Sequence, residues 1–273
     1  MKLFTFGDSW TEGVGGNLKE EYATNIPEER TKIRHKYAWP TKLSKLLNVD
    51  LQNDGVGGFS NNAIFNAISF KLKNDLITSN DFVIIMWSSS LRDSVPFFPI
   101  DNNFQFWGKR HTTKEHLYKY LLSDMIVDNA KFKRIDKDYK NYFINNLYTD
   151  VYYDIINQNY ILYLQFILKK LGIRYLFCDG FDLMIRNDIH STIDKTHLID
   201  ELHYWKFKNK TFKDYLSDTH RKDVWEDGFH WLPNTDGKHP NKNGYEIIAD
   251  ELYNFIVKNN LLNPIQIDNS FLI

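Results

Sequence analysis

"KLFTFGDSWTEG", residues 2–13, decides how this chain is read. Its opening residues alternate and then meet Gly7, as a strand ending in a sharp turn does. The serine of the Gly-Asp-Ser turn, Ser9, would then stand at the carboxyl end of that strand. In an open parallel sheet this is the end at which ligands bind. That position raises two questions: whether the remaining chain alternates strands with helices, and whether it supplies a base for Ser9.

The alternation is legible on both sides of the chain's middle. Leu43, Leu46 and Leu47 have helical spacing after Pro40 and predict a helix from that proline, followed by a strand around "VDLQND". In "SNNAIFNAISFKLKN", Ile64, Ile68 and Leu72 recur every four residues, with Ser60 or Asn61 as N-cap. "DFVIIMW" is an unbroken apolar run of strand length, as expected of a strand buried on both faces of a parallel sheet. Further on, "YILYLQFILKKLG" predicts a helix stopping at Gly172, and "IRYLFCDG" the next strand. A last helix in "GYEIIADELYNFIVKNN" has Ile248, Leu252 and Ile256 on one face. Strands alternating with helices predict an α/β fold, a three-layer α/β/α sandwich around a mainly parallel sheet. Residues 91–150 and 180–232 are too long for simple connections and are read as insertions in one domain spanning 1–273. Each is a candidate lid, small subdomain or assembly surface.

Composition narrows the function. Of 273 residues, 42% are hydrophobic, enough for a sizeable core. The 34 basic and 35 acidic side chains leave a net charge of -1, which gives no reason to expect nucleic acid or an anionic membrane as partner. Cys178 is the only cysteine, so an intrachain disulfide and a cysteine-based metal cluster are both excluded. It lies in an apolar strand and is read as a small buried hydrophobe. Only four residues separate Lys2 from a polar turn, too short for the apolar region of a secretory signal, so the chain is expected to stay in the cytoplasm or to leave by another route. The wealth of Asn, Lys, Ile and Tyr would suit an AT-rich genome, and a virion-associated protein if the source is viral.

A serine hydroxyl needs a base to take its proton and a third group to orient that base. "NTDGKHPNKNGYEIIADEL" offers both: Asp236 and His239 lie three apart, and a helix starts just after Pro240. One short loop could present imidazole and carboxylate at the rim of the sheet. A second pair, Asp227 and His230 in "DGFHW", lacks the adjoining proline and helix start, so His230 is assigned to pocket lining or to packing on Trp231.

Together these residues make the sequence resemble the SGNH hydrolases, the GDSL esterases and lipases. The first block reads "GDSWTEG" and the last "DGKHPNKNGY", and the glycine block is similar to "NDGVGGFS". The resemblance implies a flavodoxin-like sheet, Ser9 as nucleophile, His239 as base and Asp236 as its orienting acid. It also implies that Ser9 and Gly58 offer backbone N–H groups to the oxyanion, with Gly57 the alternative donor should the register slip by one. The third block departs: "WSSSLRD" has Ser88 where the family has glycine and Ser90 where it has the asparagine whose amide is the third oxyanion donor. Losing such a donor costs about 10²–10³ in rate. Ser90 is the expected stand-in, with Arg92 as an alternative source of charge.

The expectation is thus a serine esterase that works without metal or organic cofactor on a small-molecule or glycan ester, O-acetylated carbohydrate being favoured by the aromatic insertions. Trp10, Trp87, Arg92 and His230 are the expected substrate contacts, although Trp10 could equally pack beneath the loop. A carbohydrate-binding or structural protein on the same scaffold, with decayed catalysis and a homo-oligomeric or assembly partner, is the competing reading.

Overall fold

In the computed structural model of the chain, which describes residues 1–88, 105–106, 109–110, 150–185, 193–220, 224–225 and 239–265, the apolar run Phe82–Trp87 is a strand with every residue buried. Its side chains divide between two cores as a strand's period of two requires. Phe82, Ile84 and Met86 enter one core, and Val83, Ile85 and Trp87 the other. This strand, β3, lies between β1 (Lys2–Phe6) and the later strand Arg174–Asp179, while β2 (Asp50–Asn53) pairs with the outer side of β1. All three pairings are parallel, with registers such as Phe4↔Val83 and Ile84↔Leu176. Two short antiparallel strands, β4 (Gln105–Phe106) and β5 (Lys109–Arg110), stand apart from the sheet, so Arg174–Asp179 is β6. The chain is an α/β protein with a four-stranded parallel sheet flanked by helices.

Eight α-helices belong to the described residues: α1 (Ser9–Glu12), α2 (Leu18–Glu21), α3 (Pro27–Tyr37), α4 (Trp39–Leu47), α5 (Asn61–Lys73), α6 (Asp150–Lys170), α7 (Phe212–His220) and α8 (Lys242–Lys258). On one face, Trp39 and Leu43 of α4, Phe212 and Leu216 of α7, and Ile248, Leu252 and Ile256 of α8 pack on the sheet. On the other, Ile64, Ile68 and Leu72 of α5 and Ile161, Leu164 and Leu168 of α6 do the same. The predicted apolar faces of α5 and α8 are these; of the three leucines predicted for α4, Leu43 is buried and Leu47 partly so, whereas Leu46 is exposed and Trp39 completes the face. Ser60 is the N-cap of α5, accepting from Ala63 N. No described helix is long and apolar enough to cross a membrane.

Two elements extend the reading. Helix α6 begins at Asp150 rather than near Tyr160, and α3 is a helix with no buried residue. Of the long stretch 180–232, the described part feeds both cores: Tyr204 enters one and Trp205 the other, where its ring stacks on Phe212 at 3.8 Å and 4°. Trp205 N–H also donates to Phe177 O at 2.8 Å, so a single parallel bridge between Phe177 and Tyr204 lies beside β6. Of residues 91–150, only β4, β5 and the start of α6 are among those described.

After β1 the chain crosses to β2 on one side and then to β3 on the other. The carboxyl ends of β1 and β3 therefore flank the point at which the strand order reverses, where open α/β sheets leave a crevice. The Gly7-Asp8-Ser9 turn is at that point.

Candidate active site

Gly7, directly after β1, approaches its neighbours too closely for a side chain. A Cβ on Gly7 would run into the Thr11 side chain and stand 3.0 Å from Met86 O. Asp8 then caps the single turn α1, its Oδ1 accepting from Trp10 N at 3.0 Å, while its Oδ2 accepts from Ser88 Oγ at 2.6 Å. Ser9 is the first residue of this turn, and its own N–H is one of the donors that a helix start leaves without an intrahelical partner. The turn closes at Gly13, which ends it in the left-handed conformation at φ +94°.

The histidine beside Ser9 arrives from the far end of the chain. His239 is buried, and its Nε2 lies 2.9 Å from Ser9 Oγ. The residues just beyond it hold the histidine loop in place. Pro240 bridges to Trp225, Asn241 N–H donates to Val224 O at 2.9 Å, and the Asn241 side chain caps α8 by accepting from Gly244 N at 3.0 Å. Gly244 allows the Val224 backbone to lie close, since a Cβ there would meet Val224 O at 2.6 Å. One residue on, Tyr245 Oη donates to Val14 O at 2.6 Å and ties α8 to the loop that leaves α1. The histidine loop and the serine turn are thus fastened to each other as well as facing each other.

A third segment, the loop after β2, lies against α1. Asn53 Nδ2 donates to Thr11 O at 2.8 Å, Val56 N–H to Gly7 O at 3.1 Å, and Gly57 N–H to Glu12 Oε2 at 2.6 Å. Gly57 is so close to the serine turn that a Cβ on it would stand 3.9 Å from Ser9 Cβ. Gly58 comes next at φ +83°, a conformation that side chains rarely adopt. Because Glu12 takes the Gly57 N–H, that group is not free to meet an incoming oxygen. The Gly58 N–H has no acceptor among the described residues.

Ser9, His239 and the Gly57–Gly58 turn are therefore brought together. Asp236, Ser90, Arg92 and His230 lie outside the described residues. Trp10 and Trp87 are corrections. Trp10 is fully buried between Phe181, 4.6 Å away, and Trp225, 5.8 Å away. Trp87 is fully buried on the opposite face of the sheet, 6.0 Å from Phe177. Neither ring has a face left for a substrate, so both are core residues. Cys178 is buried, and desolvation raises its thiol pKa well above the ordinary value, so it offers no thiolate. Among the described residues no His, Cys, Asp and Glu side chains are grouped as a metal site requires.

Several residues shape the site through partners that only the fold supplies. Ser88 binds Asp8, and Asn61 clasps Ser88 by accepting from its N–H at 2.8 Å and donating to its carbonyl at 3.2 Å. Glu12 shares Arg34 with Glu21, Arg34 Nη1 lying 3.2 Å from Glu12 Oε1 and its Nε 2.9 Å from Glu21 Oε2. Burial would lower the Arg34 pKa, but the two carboxylates outweigh it and hold the guanidinium charged. The signal in the sequence is Glu12 inside the first motif, with a basic cluster at the end of "PEERTKIRHKY" to answer it.

The arrangement defines an α/β protein with a Ser–His pair at a sheet switch point. Comparison with protein-family models and with curated protein sequences gives no match. Among solved structures, the chain is similar to one described as a lipolytic protein of the G-D-S-L family from Desulfitobacterium hafniense DCB-2, at 11% identity over 93% of this chain and 98% of that one, with a TM-score of 0.40. It is also similar to a carbohydrate esterase whose active site is described as displaying divergent catalytic and non-catalytic binding functions, at 14% identity over 96% of this chain and 70% of that one, with a TM-score of 0.42.

Proposed function

We propose that the protein is a serine esterase that removes small acyl groups, acetyl in the first instance, from an alcohol, with O-acetylated carbohydrate as the substrate class. The observation that carries this reading is the 2.9 Å approach of His239 Nε2 to Ser9 Oγ at the carboxyl end of β1. It is the distance at which an imidazole accepts a hydroxyl proton as a general base.

In the proposed reaction, Ser9 Oγ attacks the ester carbonyl as its proton passes to His239 Nε2. The carbonyl oxygen, now negative, is met by the N–H groups of Ser9 and Gly58. The C–O bond to the alcohol breaks, and the alcohol leaves with the proton from His239. Water then adds to the acyl-Ser9, again giving its proton to His239, and the acid departs as Ser9 Oγ regains that proton. Asp236 holds the imidazole in the tautomer that presents Nε2 as an acceptor. Ser90 or Arg92 supplies what remains of the third oxyanion donor.

The test is p-nitrophenyl acetate hydrolysis across a range of pH by the protein, Ser9→Ala and His239→Ala. Turnover lost in both variants supports the esterase and leads to a screen of acetylated glycans. Absence of turnover above the Ser9→Ala background, with no labelling by a fluorophosphonate, favours a glycan-binding or structural protein.

A further inference from the structure

We infer that Glu12 is a positioning residue for the oxyanion site: its carboxylate, anchored on Arg34, grips the Gly57 N–H and so holds the Val56–Phe59 turn against Ser9, with the Gly58 N–H facing the reacting carbonyl. The kinetic side of this inference rests on the esterase reading, whereas the structural side does not.

The geometry is a relay with two ends. Glu12 Oε2 accepts from Gly57 N at 2.6 Å, a short charge-assisted bond, and its Oε1 faces Arg34 Nη1 at 3.2 Å. Arg34 is held in turn by Glu21, whose Oε1 accepts from Gly15 N at 2.9 Å. The network therefore grips the loop after β2 at one end and the segment after α1 at the other, with all three charged side chains largely buried. Glu12 is the last residue of the same one-turn helix that Ser9 begins. One rigid turn thus carries the nucleophile at its start and the clamp on the second donor's loop at its end.

Gly57 and Gly58 are the central residues of a turn closed by Phe59 N–H to Val56 O at 3.1 Å, with Gly58 at φ +83°, and Val56 N–H ties the turn to Gly7 O at 3.1 Å; Glu12 adds a charged side-chain grip on it through the Gly57 N–H. Oxyanion donors act only when they are preorganised, because a donor that must turn into place during the reaction returns part of its stabilisation as reorganisation. A carboxylate is suited to this clamp: it accepts from a backbone N–H and from a guanidinium at the same time, one oxygen for each.

The experiment compares the wild type with Glu12→Ala and Glu12→Gln by two readouts. Amide hydrogen exchange of the Val56–Phe59 segment is measured by mass spectrometry, and kcat and KM are measured on p-nitrophenyl acetate. Glu12→Ala is expected to speed exchange in that segment about tenfold or more while distant helices stay protected, and to lower kcat about tenfold or more with KM within about twofold. Glu12→Gln keeps an acceptor for Gly57 and loses only the charge toward Arg34, so it falls between the two. Unchanged exchange in Val56–Phe59 with Glu12→Ala overturns the inference, whatever the activity. Should the wild type neither turn over nor label at Ser9, the esterase reading fails while the exchange result still decides the role of Glu12. Should Glu12→Ala fail to fold, Gly57→Ala serves instead: its Cβ would meet Glu12 Oε2 at 2.8 Å and displace the same peptide. The same selective loss of kcat is then expected, and unchanged kcat overturns the inference.

Discussion

Ser9 Oγ and His239 Nε2 lie 2.9 Å apart although 230 positions separate them in the chain. Contact over such a separation requires that both elements be fixed to a common frame, and here the frame is the switch point between β1 and β3 with α8 behind it. If the imidazole acts as base, Ser9 alone should react with a fluorophosphonate. We expect labelling at Ser9 in the wild type and a loss of labelling rate on the order of 10³-fold or more in His239→Ala. Mass spectrometry of the labelled peptide checks the site, and equal rates in the two proteins would sink the pairing.

Tyr245 makes a separate prediction about how the frame is held. Its hydroxyl is fully buried and donates to Val14 O at 2.6 Å, joining the helix behind His239 to the loop behind Ser9. Tyr245→Phe leaves a buried carbonyl without that donor, at a cost of about 1–3 kcal/mol. Urea unfolding should show this as a lower midpoint with an unchanged slope. Because the bond spans both halves of the site, esterase turnover should fall in the folded variant as well.

The sheet, the helices on its two faces and the Ser–His ends of the site are legible in the sequence because each rests on local pattern. The β3 run is apolar throughout, α4, α5 and α8 carry apolar residues at helical spacing, and Gly-Asp-Ser and His-Pro are contiguous in sequence. The elements that escape are polar. The first half of α6 buries Asp154, Asn157 and Gln158, and no hydrophobic period marks it. Gln158 offsets the cost of its burial by accepting from Lys195 N at 2.6 Å and donating to Ile193 O at 3.1 Å, partners that only the folded chain supplies. Helix α3 buries nothing, so it has no period to read, although Pro27 at its first turn and Arg34, His35 and Lys36 at its last are helix-end signals. Trp10 misleads as a substrate contact for a related reason. An aromatic beside the Gly-Asp-Ser serine looks the same in sequence whether it faces solvent or the core, and only the approach of Phe181 and Trp225 decides it.

Ser88 tests the meaning of the divergent third block. Where the resembled family has glycine, this chain places a hydroxyl 2.6 Å from Asp8 Oδ2, on the residue that caps the Ser9 turn. Ser88→Ala removes a hydrogen bond to a charged group, worth about 1.5–3 kcal/mol. Thermal or urea unfolding should register that loss. A variant as stable as the wild type would mean that the Asp8 carboxylate does not depend on Ser88.

Asp179, at the carboxyl end of β6 and paired in register with Trp87, predicts how stability varies with pH. Burial pushes its pKa up to about 7, with Asp182 adding to the rise, while the Tyr204 hydroxyl at 2.7 Å and a backbone bond from Met184 pull the other way. The folded protein therefore holds a proton that the unfolded chain, at the ordinary value near 3.8, releases. With more protons bound in the folded state, stability contributed by this group is complete below about pH 4, declines as pH rises through the window toward 7 and is lost above it. The slope within that window reaches at most about 1.4 kcal/mol per pH unit. Asparagine keeps the shape and an acceptor for Tyr204 but cannot ionise. Unfolding free energies of the wild type measured from pH 4 to 8 should fall across the window, and those of Asp179→Asn should fall less by that amount. Parallel curves for the two proteins would mean that Asp179 is already ionised in the folded state at pH 5, with Tyr204 and Met184 outweighing its burial.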